Sequence, residues 1–257
     1  MSEPRKIAIY NQKGGAGKST SAANISVSLT LPPLNRRVLA LELDKQGNLA
    51  GMLGQSVSDA PGNMTDVFQG RPLADCVTHV SEQLDLVVGD SRLADVEFNL
   101  ANARRREEVL TRQLEDEISG YDYVILDCPP NQGLLAVNAV VFADEVVAPV
   151  RLDDANSVNG LGDLLDFLDG LSEVEWTRPL TYVLRLDGDP REDLYETLND
   201  ALEQMGLPVA PQMVRRRAAV GKSIAAGSPI VVTKPGLDAA VAFREFAETL
   251  DATRVGS

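Results

Sequence analysis

The densest group of residues able to do chemistry lies at positions 13–20. It combines glycines, lysines and hydroxyls in the order Lys13, Gly14, Gly15, Ala16, Gly17, Lys18, Ser19 and Thr20. Glycines let the backbone curl so that successive N–H groups converge on anionic oxygens. Lys18 can reach the β- and γ-phosphates of a nucleotide, and the Ser19 hydroxyl is placed to coordinate Mg²⁺. The segment therefore predicts a nucleotide-phosphate cradle, against the alternative of a glycine-rich turn with chance lysines.

A carboxylate that could complete this site is Asp127, which ends the apolar run at residues 121–126. An acid at the carboxyl end of a parallel strand faces the ligand crevice of an open α/β sheet. We therefore expect Asp127 to hold Mg²⁺ through a water molecule.

The elements that must position these groups follow from an alternation of apolar runs and helical periodicity, which favours βαβ units. Strands are expected at residues 6–10, 37–43, 84–88, 121–126, 146–150, 180–184 and 230–232. Helices are expected at residues 18–31, 104–118, 132–142, 155–171, 191–205 and 237–250. The predicted fold class is α/β, a single P-loop NTPase domain over residues 1–257. Its mainly parallel sheet is flanked by helices on both faces.

The cradle departs from the ordinary G-x-x-x-x-G-K-S pattern, because Gln12 stands where the first glycine belongs and Lys13 opens the loop. This is the deviant Walker A form, and residues 11–20 closely resemble the loop of ParA-type ATPases in the ParA/MinD family. The resemblance implies that Lys13 reaches across a dimer interface to the partner's ATP and that Thr20 bonds the α-phosphate. It also implies that the active form is an ATP-dependent homodimer.

Two further segments carry the resemblance. Residues 42–48 resemble the family segment D-x-D-P-Q-G-N, whose second aspartate positions the attacking water. The resemblance implies that Asp44 has this role. Glu42 and Lys45 depart from the pattern, where the family has aspartate and proline. The alternative for Asp44 is a cap on the following helix. Residues 121–130 resemble Y-D-Y-x-x-x-D-x-P-P, which supports the Mg²⁺ role of Asp127. The catalytic set is thus Lys13, Lys18 and Asp44, and the implied reaction is slow hydrolysis of Mg-ATP.

The resemblance weakens in the C-terminal third. Val214 and Arg215 fall near a family segment that lines the adenine pocket, although Pro-Arg-Asn is not reproduced. The densest basic stretch comprises Arg215, Arg216, Arg217 and Lys222, in a region where the family binds DNA without sequence preference. The alternative is a solvated charge run that balances local acids. A second triplet, residues 104–106, is interpreted as local ion pairing within a helix.

Composition limits the partners. With 24 basic and 38 acidic residues the net charge is −14, so any DNA contact must come from a local basic patch. Two cysteines outside any C-x-x-C pair and one histidine argue against a zinc site or a disulfide. Without a signal peptide or a membrane-length apolar run, we expect a cytoplasmic protein, and the resemblance to ParA-type ATPases implies association with the nucleoid. Because the loop opens at residue 13, we expect no N-terminal helix-turn-helix extension.

The leading expectation is a partitioning or positioning ATPase stimulated by a centromere-binding or adaptor protein, with no membrane contact. One alternative is a MinD-like membrane-cycling regulator, disfavoured by residues 11–12 and 46–48 and by the acidic outer face of the final helix. The other is a P-loop ligase, which would need a second substrate pocket.

Overall fold

The computed structural model describes residues 3–154, 156–171 and 180–253. The strands are β1 (Arg5–Ile9), β2 (Val38–Glu42), β3 (Thr78–His79), β4 (Leu84–Val87), β5 (Tyr123–Asp127), β6 (Glu145–Arg151), β7 (Leu180–Gly188) and β8 (Val209–Arg215). The helices are α1 (Lys18–Thr30), α2 (Asn48–Met52), α3 (Met64–Phe68), α4 (Leu93–Leu100), α5 (Val109–Leu114), α6 (Leu134–Phe142), α7 (Asn156–Gly170), α8 (Asp193–Gln204), α9 (Ala218–Ala225), α10 (Ile230–Thr233) and α11 (Asp238–Ala252). The expected first residue of the α7 helix, residue 155, lies outside the described residues.

Over the described residues the strands form one eight-stranded sheet in the order β3-β4-β2-β5-β1-β6-β7-β8. Neighbouring strands are parallel except β3 and β4. Successive β1 side chains enter opposite cores, with Ile7 and Ile9 on the α1 and α11 side and Ala8 and Tyr10 on the other. Helices cover both faces, so the predicted α/β class is confirmed.

The place of the site follows from the strand order. From β1 the chain crosses to β2 on one side of the sheet, and the later strands β6, β7 and β8 lie on the other side. Such a switch of direction leaves a crevice beyond the carboxyl ends of the strands. The loop after β1 therefore lies among the carboxyl ends of its neighbours.

The predicted strand at residues 230–232 is wrong, because Ile230–Thr233 form the short helix α10. Pro229 precedes it, and proline suits the start of a helix because its fixed φ is compatible and its missing N–H is not needed. Ile230 and Val231 are buried in the helical layer that contains α1 and α11. Ile230 and Val231 have β-branched side chains, which are common in strands, but a helix buries them here equally well.

The charged helix predicted at residues 104–118 is wrong in extent. Arg105 has a left-handed backbone with φ of +48°, Arg106–Glu108 form a 3₁₀ turn, and α5 covers only Val109–Leu114. The Asn138 side chain on α6 fixes this break, since it accepts the Leu110 N–H at 3.0 Å and donates to the Arg106 carbonyl at 2.7 Å. Arg105 pairs with Glu108 and Arg106 pairs with Glu107. The predicted ion pairing is therefore local, but it lies in the 3₁₀ turn and not within an α-helix.

The remaining predicted elements are found with shifted ends. The sequence does not predict β3, β8, α2, α3, α4 or α9. No helix within the described ranges is both long and apolar enough to cross a bilayer.

Candidate nucleotide site

The loop between β1 and α1 forms one wall of a cavity of about 640 Å³. Gly17 caps α1 with φ of +92°, and a Cβ there would overlap Leu186. The left-handed backbone is the condition that favours glycine, because the Leu186 methyl group is the end of a flexible side chain and can move aside. The loop residues that line the cavity are Gly14, Gly15, Ala16, Gly17, Lys18, Ser19 and Thr20. The N-terminus of α1 opens here, so its unpaired N–H groups favour an anion.

Lys18 supplies a positive charge inside this cavity. The residue is only 6% exposed, and its Nζ donates to the Lys13 carbonyl at 3.2 Å. Burial lowers the pKa of the Lys18 ammonium, while Asp127 and Asp44 oppose that shift. Its ammonium has no ion pair with any described carboxylate, so it is available to an incoming phosphate.

Asp127 and Ser19 form the part of the site that fits a metal ion. Asp127 is fully buried at the end of β5, and neither carboxylate oxygen has a hydrogen-bond partner among the described residues. Burial raises the pKa of Asp127 to about 8; the nearby Ser19 hydroxyl lowers it, although it makes no hydrogen bond of normal geometry. An unpartnered buried carboxylate beside a hydroxyl suits Mg²⁺, which prefers oxygen ligands.

The described residues contain no group of three or more His, Cys, Asp or Glu side chains arranged to hold a metal ion. This agrees with the site above, because Mg²⁺ takes most of its ligands from water and substrate phosphates.

Asp44 lines the cavity from the segment after β2 and is 8% exposed. Its Oδ1 accepts the Gln46 N–H at 3.1 Å. The N-cap residue of α2 is Gly47, which has no side chain to cap the helix, and the Asp44 carboxylate bonds Gln46 before the helix begins. The capping alternative for Asp44 therefore finds no support, and its carboxylate is left facing the cavity.

Lys13 does not line the cavity of its own chain. Its Nζ contacts the Asp154 carboxylate and lies 3.2 Å from the Ser157 hydroxyl. Both partners flank the start of α7, beside the cavity. The two lysines of the loop thus have different surroundings, one inside the cavity and one outside it.

The cavity also has an apolar part of its lining, which suits a planar base. The apolar side chains include Leu186, Val214, Val220 and Ile224. Val214 lies where the sequence predicts an adenine contact, whereas Arg215 points into a neighbouring cavity. Arg216 and Arg217, predicted for DNA, line the nucleotide cavity as well.

Two charged residues that line the cavity were not predicted from the sequence, Arg151 at the end of β6 and Asp187 near the end of β7. The Arg151 guanidinium pairs with Asp153 at 2.7 Å and with Asp187 at 3.3 Å, and Nη1 lies 3.5 Å from the Gly15 carbonyl. Asp187 has φ of +55°, and the pairing of β7 with β8 is irregular around it. Their place at the carboxyl ends of strands beyond β1 is the signal that could have found them.

A second cavity, about 430 Å³ and polar, adjoins the first. Its lining consists of Gly188, Asp189, Pro190, Arg191, Arg215, Arg216 and Arg217. Arg191 was not predicted. Arg216 pairs with Asp153 at 3.5 Å and Arg217 with Asp238 at 2.9 Å, so both are partly neutralised.

Arg215 and Lys222 are the two residues of the predicted basic stretch that have no ion pair with a described residue. Both are exposed. Arg215 therefore contributes uncompensated positive charge to the polar cavity, and Lys222 contributes it on the surface of α9.

Comparison with known proteins places these features in context. A family model described as an AAA domain matches residues 4–178. The sporulation initiation inhibitor protein Soj of Bacillus subtilis is 37% identical over 162 residues, which cover 62% of this chain and 63% of Soj. The chromosome partitioning protein ParA of Caulobacter vibrioides is 30% identical over 234 residues, 89% of this chain and 86% of that protein.

Among solved structures, cobyrinic acid a,c-diamide synthase from Mycobacterium smegmatis, with bound ADP and magnesium, superimposes with a TM-score of 0.84 at 28% identity. The superposition covers 98% of this chain and 96% of the synthase. The similarity therefore extends across the sheet and both helical layers.

Proposed function

This chain belongs to the ParA/MinD family of P-loop ATPases, and from that premise we propose that it is a ParA-type partitioning ATPase that dimerises on ATP. In this proposal the dimer binds duplex DNA without sequence preference. A centromere-binding or adaptor protein then stimulates hydrolysis and release of a plasmid, chromosomal or protein cargo. The single observation that carries the proposal is one cavity lined by the glycine loop, Lys18, Ser19 and Asp44, with the buried, unpartnered carboxylate of Asp127 close to Ser19 and Lys18.

The loop residues account for nucleotide binding. Backbone N–H groups of the loop and the N-terminus of α1 would hold the phosphates, with the Lys18 ammonium at the β- and γ-phosphates. Ser19 and, through water, Asp127 would hold Mg²⁺, which supplies charge neutralisation on the phosphate oxygens. Binding that cation would also compensate the buried charge of Asp127.

Hydrolysis requires a water molecule in line with the γ-phosphate. Asp44 lines the cavity beside the loop, so its carboxylate can orient that water and accept its proton. The described part of the cavity lining otherwise offers few acids, and Asp187 is engaged by Arg151. Positioning and charge neutralisation carry most of the rate in such reactions. Slow turnover in the absence of a partner is therefore expected.

The polar cavity supports the DNA part of the proposal. Arginines from two separate segments, residues 188–191 and 215–217, converge there on a chain whose net charge is −14. Arginine binds phosphate oxygens through paired hydrogen bonds. We propose Arg215 and Lys222 as the principal phosphate contacts, with Arg191, Arg216 and Arg217 contributing less because acids already neutralise them.

The test is binding of labelled duplex DNA, followed by fluorescence anisotropy, with Mg-ATP and at graded salt. Changing Arg215 and Lys222 together to alanine should weaken binding and flatten the log–log salt dependence by about 0.9 per lost phosphate contact. The matched control changes Arg105 and Arg106, which are exposed but paired with glutamates. Absence of DNA binding by the parent protein at any salt would contradict the proposal.

The comparison with the synthase favours one second candidate, an ATP-dependent ligase. A ligase needs a pocket for a second substrate, and the polar cavity that adjoins the nucleotide site could serve as one. Product analysis with Mg-ATP alone separates the two functions. A partitioning ATPase should release phosphate from ATP without any acceptor, whereas a ligase should not.

A MinD-like membrane cycle is the remaining alternative. The last helix, α11, buries Ala239, Phe243, Phe246 and Leu250, so this apolar face is not available to lipid. A flotation assay with anionic vesicles and Mg-ATP tests this alternative, and co-flotation of the protein would favour it.

A further inference from the structure

Glu42, the last residue of β2, uses both oxygens of its carboxylate to hold two backbone segments together. It is fully buried. Its Oε1 accepts the Leu49 N–H at 2.6 Å, at the start of α2, and its Oε2 accepts the Gly89 N–H at 3.0 Å, just after β4. The carboxylate therefore takes the place of the missing side-chain cap on α2 and ties that helix to the neighbouring strand.

These two bonds close the segment that carries Asp44. Residues 43–48 form an arch that begins after Glu42 and ends before Leu49. The Glu42 side chain bonds the Leu49 N–H and so holds the two ends of this arch together. Among the described residues, the Asp44 carboxylate accepts one local hydrogen bond, from the Gln46 N–H. The direction of the Asp44 carboxylate thus depends on the shape of an arch that Glu42 holds closed.

Gly89 leaves the space that this arrangement needs. A Cβ at position 89 would lie 2.7 Å from the carbonyl oxygens of both Glu42 and Asp44 and 3.0 Å from the Glu42 Cγ. Backbone atoms cannot yield at such distances, so only glycine allows this approach. The same glycine donates the hydrogen bond to Oε2. The Glu42 side chain can reach the backbone at position 89 because glycine leaves room for it there.

A third acid beside Asp44 and Asp127 carries an electrostatic cost. Buried like charges repel each other strongly, and a buried polar group must be fully hydrogen-bonded to be tolerated. Glu42 meets the second condition through its two N–H partners. Its retention at this position is explained if the bonds serve the segment between them.

We infer that Glu42 is a positioning residue for Asp44, holding the water-orienting acid in place through paired hydrogen bonds to Leu49 and Gly89. The inference rests on the proposed function, because it gives Asp44 its role in hydrolysis. Glu42→Gln keeps the length of the side chain but can accept only one of the two N–H groups. Glu42→Asp keeps the charge but is one methylene too short to reach both.

The experiment measures single-turnover hydrolysis and Mg-ATP affinity for the two variants and the parent. Each variant should lower the rate about 10- to 100-fold, the size expected for a displacement of about 1 Å at a catalytic group. ATP affinity should stay within about threefold, because the loop and Lys18 are unchanged. An unchanged rate in both variants, with an intact fold, would overturn the inference.

The matched control is Asp85→Asn on the adjacent strand β4. Asp85 is also a buried carboxylate, 5% exposed, and is bonded to the Tyr121 hydroxyl at 2.7 Å, outside the nucleotide cavity. Its loss should lower the melting temperature without lowering the hydrolysis rate. An equal loss of rate in Asp85→Asn would mean that instability explains the Glu42 result, and would overturn the inference.

A double-mutant cycle distinguishes the inference from the function on which it rests. If Glu42 acts through Asp44, adding Glu42→Gln to Asp44→Ala should reduce the rate no further than Asp44→Ala alone. Fully additive losses would overturn the positioning role while leaving Asp44 catalytic. A wild-type rate in Asp44→Ala would overturn both the role of Asp44 and this inference.

Discussion

At the scale of single residues, Asp127 has the most distinctive electrostatic state in the site. Its folded-state pKa is raised from 3.8 to about 8, chiefly by burial. A raised carboxyl pKa means that the neutral form is favoured by folding, so the stability it contributes is present below pH 4 and lost as the pH rises through about 8. Cation binding would remove this penalty, which couples stability to Mg²⁺.

Asp127→Asn should therefore become progressively more stable than the parent between pH 4 and pH 8, by at most about 1.4 kcal/mol per pH unit. Urea unfolding with EDTA at several pH values measures the difference. The control is Asp189→Asn in an exposed loop, where Arg191 lowers the pKa of the carboxyl. Its stability difference from the parent should stay constant over this window, and a constant difference for Asp127→Asn would contradict the prediction.

Lys18→Ala should weaken ATP binding at least ~10-fold, since a hydrogen bond to a charged group contributes about 1.5–3 kcal/mol. The ammonium is buried in the cavity and has no ion pair with a described carboxylate, so its charge is available to the phosphates. Calorimetric titration with Mg-ATP is the measurement, with Lys234→Ala as an exposed lysine control. Equal ATP affinity in Lys18→Ala and the parent would remove the phosphate-binding assignment.

At the scale of elements, helix α11 buries the apolar face that the helical periodicity of its sequence predicts. The sequence places Ala239, Phe243, Phe246 and Leu250 on one face, and all four are completely buried. Phe246 also meets Tyr182 of β7 edge to face, with ring centroids 5.6 Å apart. The helix thus supports β7 and β8, which carry the cavity residues Leu186 and Val214.

Phe246→Ala should lower the free energy of unfolding by about 3–5 kcal/mol, because it removes a buried aromatic ring and leaves a cavity. Val241→Ala on the same helix is the control, since Val241 is 38% exposed and should change stability by only about 0.5 kcal/mol. Chemical denaturation of both variants provides the comparison. Similar losses at the two positions would mean that α11 does not pack as described.

At the scale of the whole molecule, charge is distributed unevenly. The chain carries −14 overall, yet arginines and lysines concentrate around the two adjoining cavities beyond the carboxyl ends of the strands. A surface of this kind repels polyanions generally and attracts them locally. Joining two such patches in a dimer would turn two weak sites into one bivalent site, which explains why DNA binding would depend on ATP.

Lys13→Ala should spare ATP binding by the monomer but prevent ATP-dependent dimerisation and hydrolysis. Its ammonium contacts Asp154 and Ser157 and does not line its own cavity, so little is lost within one chain. Sedimentation velocity with Mg-ATP and calorimetry measure the two effects separately. Normal ATP-driven dimers of this variant would refute the proposed contact across the interface.

Features of the site that depend on contiguous residues could be predicted from the sequence. The glycine loop is one such feature, because its glycines and lysines all lie within residues 13–20, which follow β1 and lead into α1. Asp127 could be placed because an acid that ends an apolar strand must lie at the edge of the sheet. Long periodic helices such as α1 and α11 were likewise predicted with ends shifted by a few residues.

Tertiary structure alone decided the features that join distant segments. Glu42 meets Gly89 across 47 positions, and Arg191 meets the residues 215–217 only when β7 and β8 pair. The α10 helix and the break before α5 were missed for the same reason. Burial and the side chain of Asn138 outweigh local propensity there. Local patterns specify the backbone conformation of short segments, whereas contacts between remote segments depend on the packing of the whole sheet.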